Sequence, residues 1–427
     1  MKRASVFLLI IVASGISWSQ VPWDLARCIA VARERSPYLQ IARNMARRTA
    51  LSQTENSAAG LPQVKAVAST VFAPWSKGAG YDPALSNGGQ LAAQVSIQQS
   101  LFDGGIRSLR ADQLRLEADQ RDLEYRRAER DLIFTVRQAY VETLRAQNAV
   151  ELEKSNVRDL TDYRDLVKRL VAAGSAGNTD LLKTELDLAN ARIALQTAND
   201  AALTAGVTLG EIMGLGADST VQAVGTLDSL LAPASDEFTG AAAFRPNLDL
   251  TLAGIEYDKS LFDVSMAHRE RYPAVSLFGD AGLLTSGDNL RLPAPERSPM
   301  FGFSLGLSFE LPLVTWGGAG AREEEMAVAS ENLRLATQGL RRSMTAEIRR
   351  VRLQLRGALA RRDASEDMIR TASDNLLLTR SRYAVGGVLA LEVLSAQQQL
   401  RDIRRAALQA RADIQSLRAR IDQLETE

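Results

Sequence analysis

The stretch FGFSLGLSFELPLVTWGG, residues 301–318, alternates with a period of two. Phe301, Phe303, Leu305, Leu307, Phe309 and Leu311 fall on one parity; Gly302, Ser304, Gly306, Ser308 and Glu310 fall on the other. Successive side chains of a β-strand point to opposite faces, so one face is bulky and apolar and the other small and polar. A soluble sandwich strand satisfies that pattern, and so does a membrane barrel with lipid outside and water inside. The continuation favours the barrel. Trp316-Gly317-Gly318 closes the strand, and from Ala321 to Val385 a helical sequence runs without proline.

The same joint occurs earlier. Leu91, Ala93, Val95, Ile97 and Gln99 alternate with Gln90, Ala92, Gln94, Ser96 and Gln98, and Leu101-Phe102-Asp103-Gly104-Gly105 ends that strand. From Ile106 to Ala173 there is neither Gly nor Pro. Pro62 with Pro273, Gly104 with Gly317, and Gly174 with Gly386 each lie about 212 residues apart; Pro37 and Pro246 fit less tightly. The chain reads as a tandem duplication whose unit is far longer than a solenoid repeat. Residues 20–213 form the first repeat, 214–243 a linker, and 244–427 the second repeat.

Each half is expected to carry the same elements. Helical patterning covers Asp24 to about Ser57, with Pro37 starting a new helix, and Leu248 to His268 in the second half. Weaker strands follow at Val64–Phe72 and Ala274–Leu284. Loop composition fills 73–89 and 285–300 before the two clear strands. A long helix, a glycine break and a return helix then complete each hairpin. The first long helix would reach about 100 Å at 1.5 Å per residue, with Leu109, Leu116 and Leu123 in sevens, then Leu132, Val136, Tyr140 and Leu144 in fours. Return helices are expected up to about Met213, with Asn178 or Thr179 as N-cap and Asp180 just inside, and from Leu391 to Leu424.

Composition excludes much else. Formal net charge is zero, so nothing points to nucleic acid. One cysteine (Cys28) and one histidine (His268) leave no disulfide framework, Cys/His metal site or cofactor site, and no constellation for an enzyme. Lys2 and Arg3, the apolar run Val6–Val12 and small Ser17 and Ser19 read as a secretory signal over residues 1–19. Cys28 is expected to be a small buried residue rather than a lipidation site, since charged Asp24 and Arg27 precede it. No other stretch is apolar enough for a transmembrane helix, so membrane entry would be as a barrel. Four strands cannot close one, so several chains must share it.

These paired strand–Gly-Gly–helix joints, the proline pairs and the tips Gly174–Asp180 and Gly386–Glu392 resemble the TolC-like outer-membrane efflux protein family. The resemblance covers essentially all of the chain after the signal. It implies an α+β membrane protein: a homotrimer whose twelve-stranded β-barrel, four strands per chain, lies in the outer membrane of a Gram-negative-type cell and continues into a long periplasmic α-helical barrel. It implies passive export in efflux or type I secretion, with a periplasmic adaptor and an inner-membrane pump of RND or ABC type as partners. By the same resemblance Asp180, Tyr383 and Glu392 line a periplasmic gate, and Gly174, Leu182, Gly386 and Leu394 lie near the adaptor groove. Phe303, Leu305, Leu307 and Phe309 would face lipid, and Gly104, Gly105, Gly317 and Gly318 form the joints. Val388 and Leu389 stand where some members carry a tip arginine, which implies a different closing network. The competing reading is a periplasmic adaptor or other coiled-coil protein without a channel.

Overall fold

The computed structural model describes residues 23–71, 90–216, 219–228, 230, 247–286 and 300–425. The signal segment 1–19 and the loops between paired strands fall outside them. Two units emerge. One comprises the chain up to Ser36 with Asp131–Phe238 and Arg350–Gln423; the other comprises Pro37–Arg130, Thr239–Arg349 and the C-terminus from Leu424.

The second unit holds the sheet. β1 (Gln63–Val71), β2 (Gln90–Asp103), β3 (Ala274–Ser286) and β4 (Met300–Glu310) pair antiparallel in the order β1-β2-β3-β4. The register lines up like with like. One face carries rows such as Val64–Ile97–Gly279–Leu305 and Ala66–Val95–Ala281–Phe303. The other carries Lys65–Ser96–Asp280–Ser304 and Gln63–Gln98–Phe278–Gly306. Gly279 on one face and Gly306 on the other are roofed by neighbours. A Cβ on Gly306 would lie 2.5 Å from the Phe278 ring, so the ring lies across the bare backbone. Near its end β2 gains one residue: Ser100 opposes Ser276 but Phe102 opposes Val275. Without that bulge Phe102 would turn to the polar face; with it, Phe102 joins the apolar row of Val275 and Phe309.

α1 (Leu25–Arg35) belongs to the first unit and α2 (Pro37–Ala58) to the second. They are separate because Ser36, preceding a proline, is extended at ψ 119°. α3 (Ile106–Ala172) and α6 (Gly318–Ala384) are 67 residues each and contribute to both units. α5 (Leu248–Arg269) makes polar contacts with α3 through two glutamines of α3. The Gln113 side chain donates to Asp263 Oδ1 at 2.7 Å and Lys259 O at 3.2 Å, and Lys259 donates to Gln120 at 2.9 Å. Leu109, Leu116 and Leu123, expected as the seam, are only half-buried; Gln113, Leu114 and Gln120 are the buried positions. A leucine repeat cannot tell a seam inside one chain from a surface awaiting another.

In the first unit α4 (Asn178–Ile212) and α7 (Ala390–Glu425) run with the remaining parts of α3 and α6. Val136, Tyr140 and Leu144 are buried as their spacing in fours indicates, in a core with Cys28, Leu209 and Met213. The Tyr140 hydroxyl donates to Val224 O at 2.6 Å and accepts from Val224 N at 3.2 Å, pinning residues 219–228. Cys28 is fully buried, and desolvation pushes its thiol up to about 12, an inert packing group.

The two joints differ. Gly104 has φ +69°, and a Cβ there would meet Tyr272 Cβ at 3.0 Å and Arg269 O at 3.1 Å. Gly105 is also left-handed, and Asp103 accepts from Gly105 N and Arg107 N to cap α3. At the second joint β4 already ends at Glu310, and Gly318 is the first residue of α6, three residues before the expected start. Gly318 lies in open space and needs no special φ. Gly104→Ala is therefore expected to lower stability by about 1–3 kcal/mol. Gly318→Ala should be neutral or stabilising by up to about 1 kcal/mol. Thermal unfolding of the two variants side by side checks the difference.

Candidate pore gate and membrane-facing surface

The helix tips belong to one unit and follow one design. α3 ends with Gly174 at φ +74°, and Ser175 N donates to Leu170 O at 2.8 Å. α6 ends with Gly386 at φ +79°, and Gly387 N donates to Arg382 O at 2.8 Å. Both are left-handed caps that satisfy the last helical carbonyls. The return helices start alike. Asp180 N donates to Gly177 O and Glu392 N to Leu389 O, each at 3.0 Å, so the two acids hold the same first-turn position. The cap of α4 is Gly177, without a side-chain bond, rather than Asn178 or Thr179.

The acids then diverge. Glu392 turns back and accepts from Leu389 N at 3.4 Å, half of a capping box, and is exposed. Asp180 is half-buried and faces an aromatic pair. Tyr163 and Tyr383 are both buried, with ring centroids 5.6 Å apart and planes tilted by 55°. Tyr163 Oη donates to Ala390 O at 3.4 Å, which links α3 to the first turn of α7. The Tyr383 hydroxyl is buried without a hydrogen-bond partner among the described residues. Burial, then the Asp180 charge, raises its pKa above the ordinary tyrosine value, and burial with the neighbouring Tyr383 and Asp180 raises Tyr163 further. Both phenols stay neutral at physiological pH.

Thus Asp180 acts on Tyr383 electrostatically, and Glu392 makes its bond within its own helix turn. Tyr163 is a member that sequence reasoning missed; its one signal was an apolar seam, Leu160–Tyr163–Val167, interrupted by a hydroxyl. Of the other tip residues, Leu182 is 66% exposed, whereas Leu394 is 8% exposed and packs in the core with Tyr163 and Val393. The tip leucines do not present alike: α7 turns Leu394 inward. Farther along, Arg405 makes a two-pronged bond to Glu153, 2.8 Å from Nε, with Glu153 almost wholly buried.

On the sheet, Phe303 is 82% exposed and Leu305 74%, and Leu307 and Phe309 are comparably bare. Leu313, Val314 and Trp316 extend this surface past β4. Among the described residues no helix is long and apolar enough to cross a membrane. His268 sits on α5 with Nδ1 3.0 Å from Glu323 Oε1 and its ring edge toward Tyr272, a solvent-side contact.

The family model for outer membrane efflux proteins matches this chain twice, over residues 28–215 and 242–425. The chain belongs to the outer membrane efflux protein family. The twofold match fits the duplication. Among relatives, outer membrane protein TolC of Vibrio cholerae is 24% identical, covering 94% of this chain and 89% of the relative. The alkaline protease secretion protein AprF of Pseudomonas aeruginosa is 24% identical over 72% of this chain and 63% of its own length. The structure of CusC superimposes with a TM-score of 0.79 at 15% identity, covering 95% of this chain and 92% of that one. VceC of Vibrio cholerae gives 0.74 at 18% identity, covering 94% and 95%. This is an outer-membrane family and not a class of enzymes, which sets the adaptor alternative aside.

Tyr163→Phe is expected to cost about 0.5–1.5 kcal/mol by losing the bond to Ala390. Tyr383→Phe should cost less, because among the described residues its buried hydroxyl makes no hydrogen bond of ordinary geometry, only contacts with Tyr163 and Asp180. Equilibrium unfolding of the two single variants checks the ordering.

Proposed function

We propose that this chain forms the outer-membrane exit duct of an efflux or type I secretion system, conducting substrates passively to the exterior. The carrying observation is the sheet: four strands in register, one face apolar and bare, and two unpaired edges at β1 and β4. In hydrocarbon an open edge leaves backbone groups unbonded, so strands of several chains close the barrel together. Twelve strands from three chains exceed the roughly eight that a barrel needs. The polar face, with Lys65, Gln94, Gln98 and Asp280, then lines water.

The periplasmic end is narrowed by the tips. Asp180 of each chain supplies negative charge beside Tyr383, and Glu392 adds a second acid at the start of α7. Rings of carboxylates favour cations. Gly174, Leu182 and Gly386 present the surface on which a periplasmic adaptor docks, with Leu394 supporting it from the core. An inner-membrane pump supplies the driving force.

Native mass spectrometry of the complex extracted from outer-membrane fractions tests the assembly. Three chains per particle support it, and a soluble periplasmic monomer overturns it. Leu305→Arg or Leu307→Arg should depress trimer yield, because a charge facing mid-bilayer costs about 2–4 kcal/mol; normal yield argues against the lipid-facing assignment. In planar bilayers, Asp180→Ala with Glu392→Ala should weaken cation selectivity; an unchanged reversal potential rejects the acidic ring.

A further inference from the structure

Beside the first joint a cavity of about 380 Å³ opens among the end of α2, the end of β2 and the start of α3. Part of its wall is apolar: Leu101 and Phe102, both close to half-exposed. The bulge in β2 brings this pair together, and through Phe102 it continues the row Val275–Phe309 of the apolar face. Other lining groups are polar or charged, namely Asn56, Ser57, Asp103 and Arg107. Asp103 spends one lone pair of each oxygen on the caps to Gly105 N and Arg107 N, at 3.0 and 3.1 Å. A carboxylate has about four acceptor sites, so it retains capacity. Among the described residues nothing bonds the Arg107 guanidinium, although a Cβ on Gly60 would come within 3.1 Å of its Cζ.

If the apolar face meets acyl chains, this cavity lies where the strands end, at headgroup depth. Its cation and anion stand on one short segment. An anionic lipid would satisfy Arg107 but set its charge against Asp103. A headgroup with both a phosphate and a primary ammonium satisfies both. We propose that the cavity binds the headgroup of a zwitterionic aminophospholipid. Phosphate oxygens accept from the Arg107 guanidinium, the ammonium donates to Asp103, and an acyl chain lies along Leu101 and Phe102. This rests on the lipid-facing reading of the sheet.

The test uses the full-length protein extracted from outer membranes and reconstituted in nanodiscs of phosphatidylethanolamine and phosphatidylglycerol, then stripped with mild detergent before lipid analysis. The wild type is expected to retain phosphatidylethanolamine above its share of the mixture. Arg107→Gln should lower that retention about tenfold, the scale of one charge-assisted hydrogen bond. Asp103→Asn keeps a capping acceptor and should shift retention toward phosphatidylglycerol. Wild-type retention that matches the mixture, or favours phosphatidylglycerol, overturns the proposal whatever the variants do. So does an assembled Arg107→Gln protein that retains lipid like the wild type. Protein that assembles in the membrane but holds no phosphatidylethanolamine sinks this site alone. Protein that never enters the membrane sinks the lipid-facing reading and the site with it.

Discussion

In a hydrocarbon environment each backbone N–H and C=O needs a partner, and a four-stranded open sheet leaves two edges bare. Much else in this chain follows from that constraint. The register gathers most of the large apolar side chains, among them Val64, Val95, Ile97, Phe303, Leu305 and Phe309, on one face, with Val67 and Phe278 as exceptions on the other. The weaker strands become intelligible through their neighbours. Gly279 and Ala281 look unlike lipid-facing residues until Leu305, Ile97 and Phe303 are seen beside them. A Cβ on Gly279 would lie only 3.0 Å from Ile97 and 3.2 Å from Leu305, so large neighbours lean over small residues. The unit of apolar surface is the row across the sheet, not the strand.

The bulge in β2 serves the same face. Strand parity would carry the chain from Ser100 to an inward Phe102; one additional residue restores the aromatic to the apolar side just before the chain leaves the sheet. The next residues are Asp103, which caps α3, and two left-handed glycines, the first of them wedged against Tyr272 and Arg269. The second joint reaches its helix through an exposed segment with Trp316 at φ +49°. The halves share a plan, and they solve the strand-to-helix transition with different local chemistry.

The tips show the same divergence. Backbone caps at Gly174 and Gly386 are alike, and Asp180 and Glu392 are placed alike. One acid faces buried tyrosines; the other closes its own helix turn. Duplication preserves what the backbone demands, namely left-handed glycines and first-turn acids, and leaves side-chain partners free to differ. Tyr163 joins the pair because α3 and α7 pack in one core, and its bond to Ala390 ties a helix of the first half to the tip of the second.

By itself the sequence determined the order of elements, the duplication, the break at Pro37, the strand faces of 301–311 and the glycine-ended tips. These are local or periodic: period two, period seven or four, and residues needed at positive φ. Only the tertiary structure decided which apolar repeat is buried within the chain. Leu109, Leu116 and Leu123 have the spacing of a seam, yet Gln113 and Gln120 fill it, because α5 offers a carbonyl, a carboxylate and an ammonium there. It also decided that Leu182 is bare while Leu394 is enclosed, and that Tyr163 meets Tyr383. Such choices depend on which surfaces face each other across more than 200 residues of chain, and no spacing along the chain encodes that.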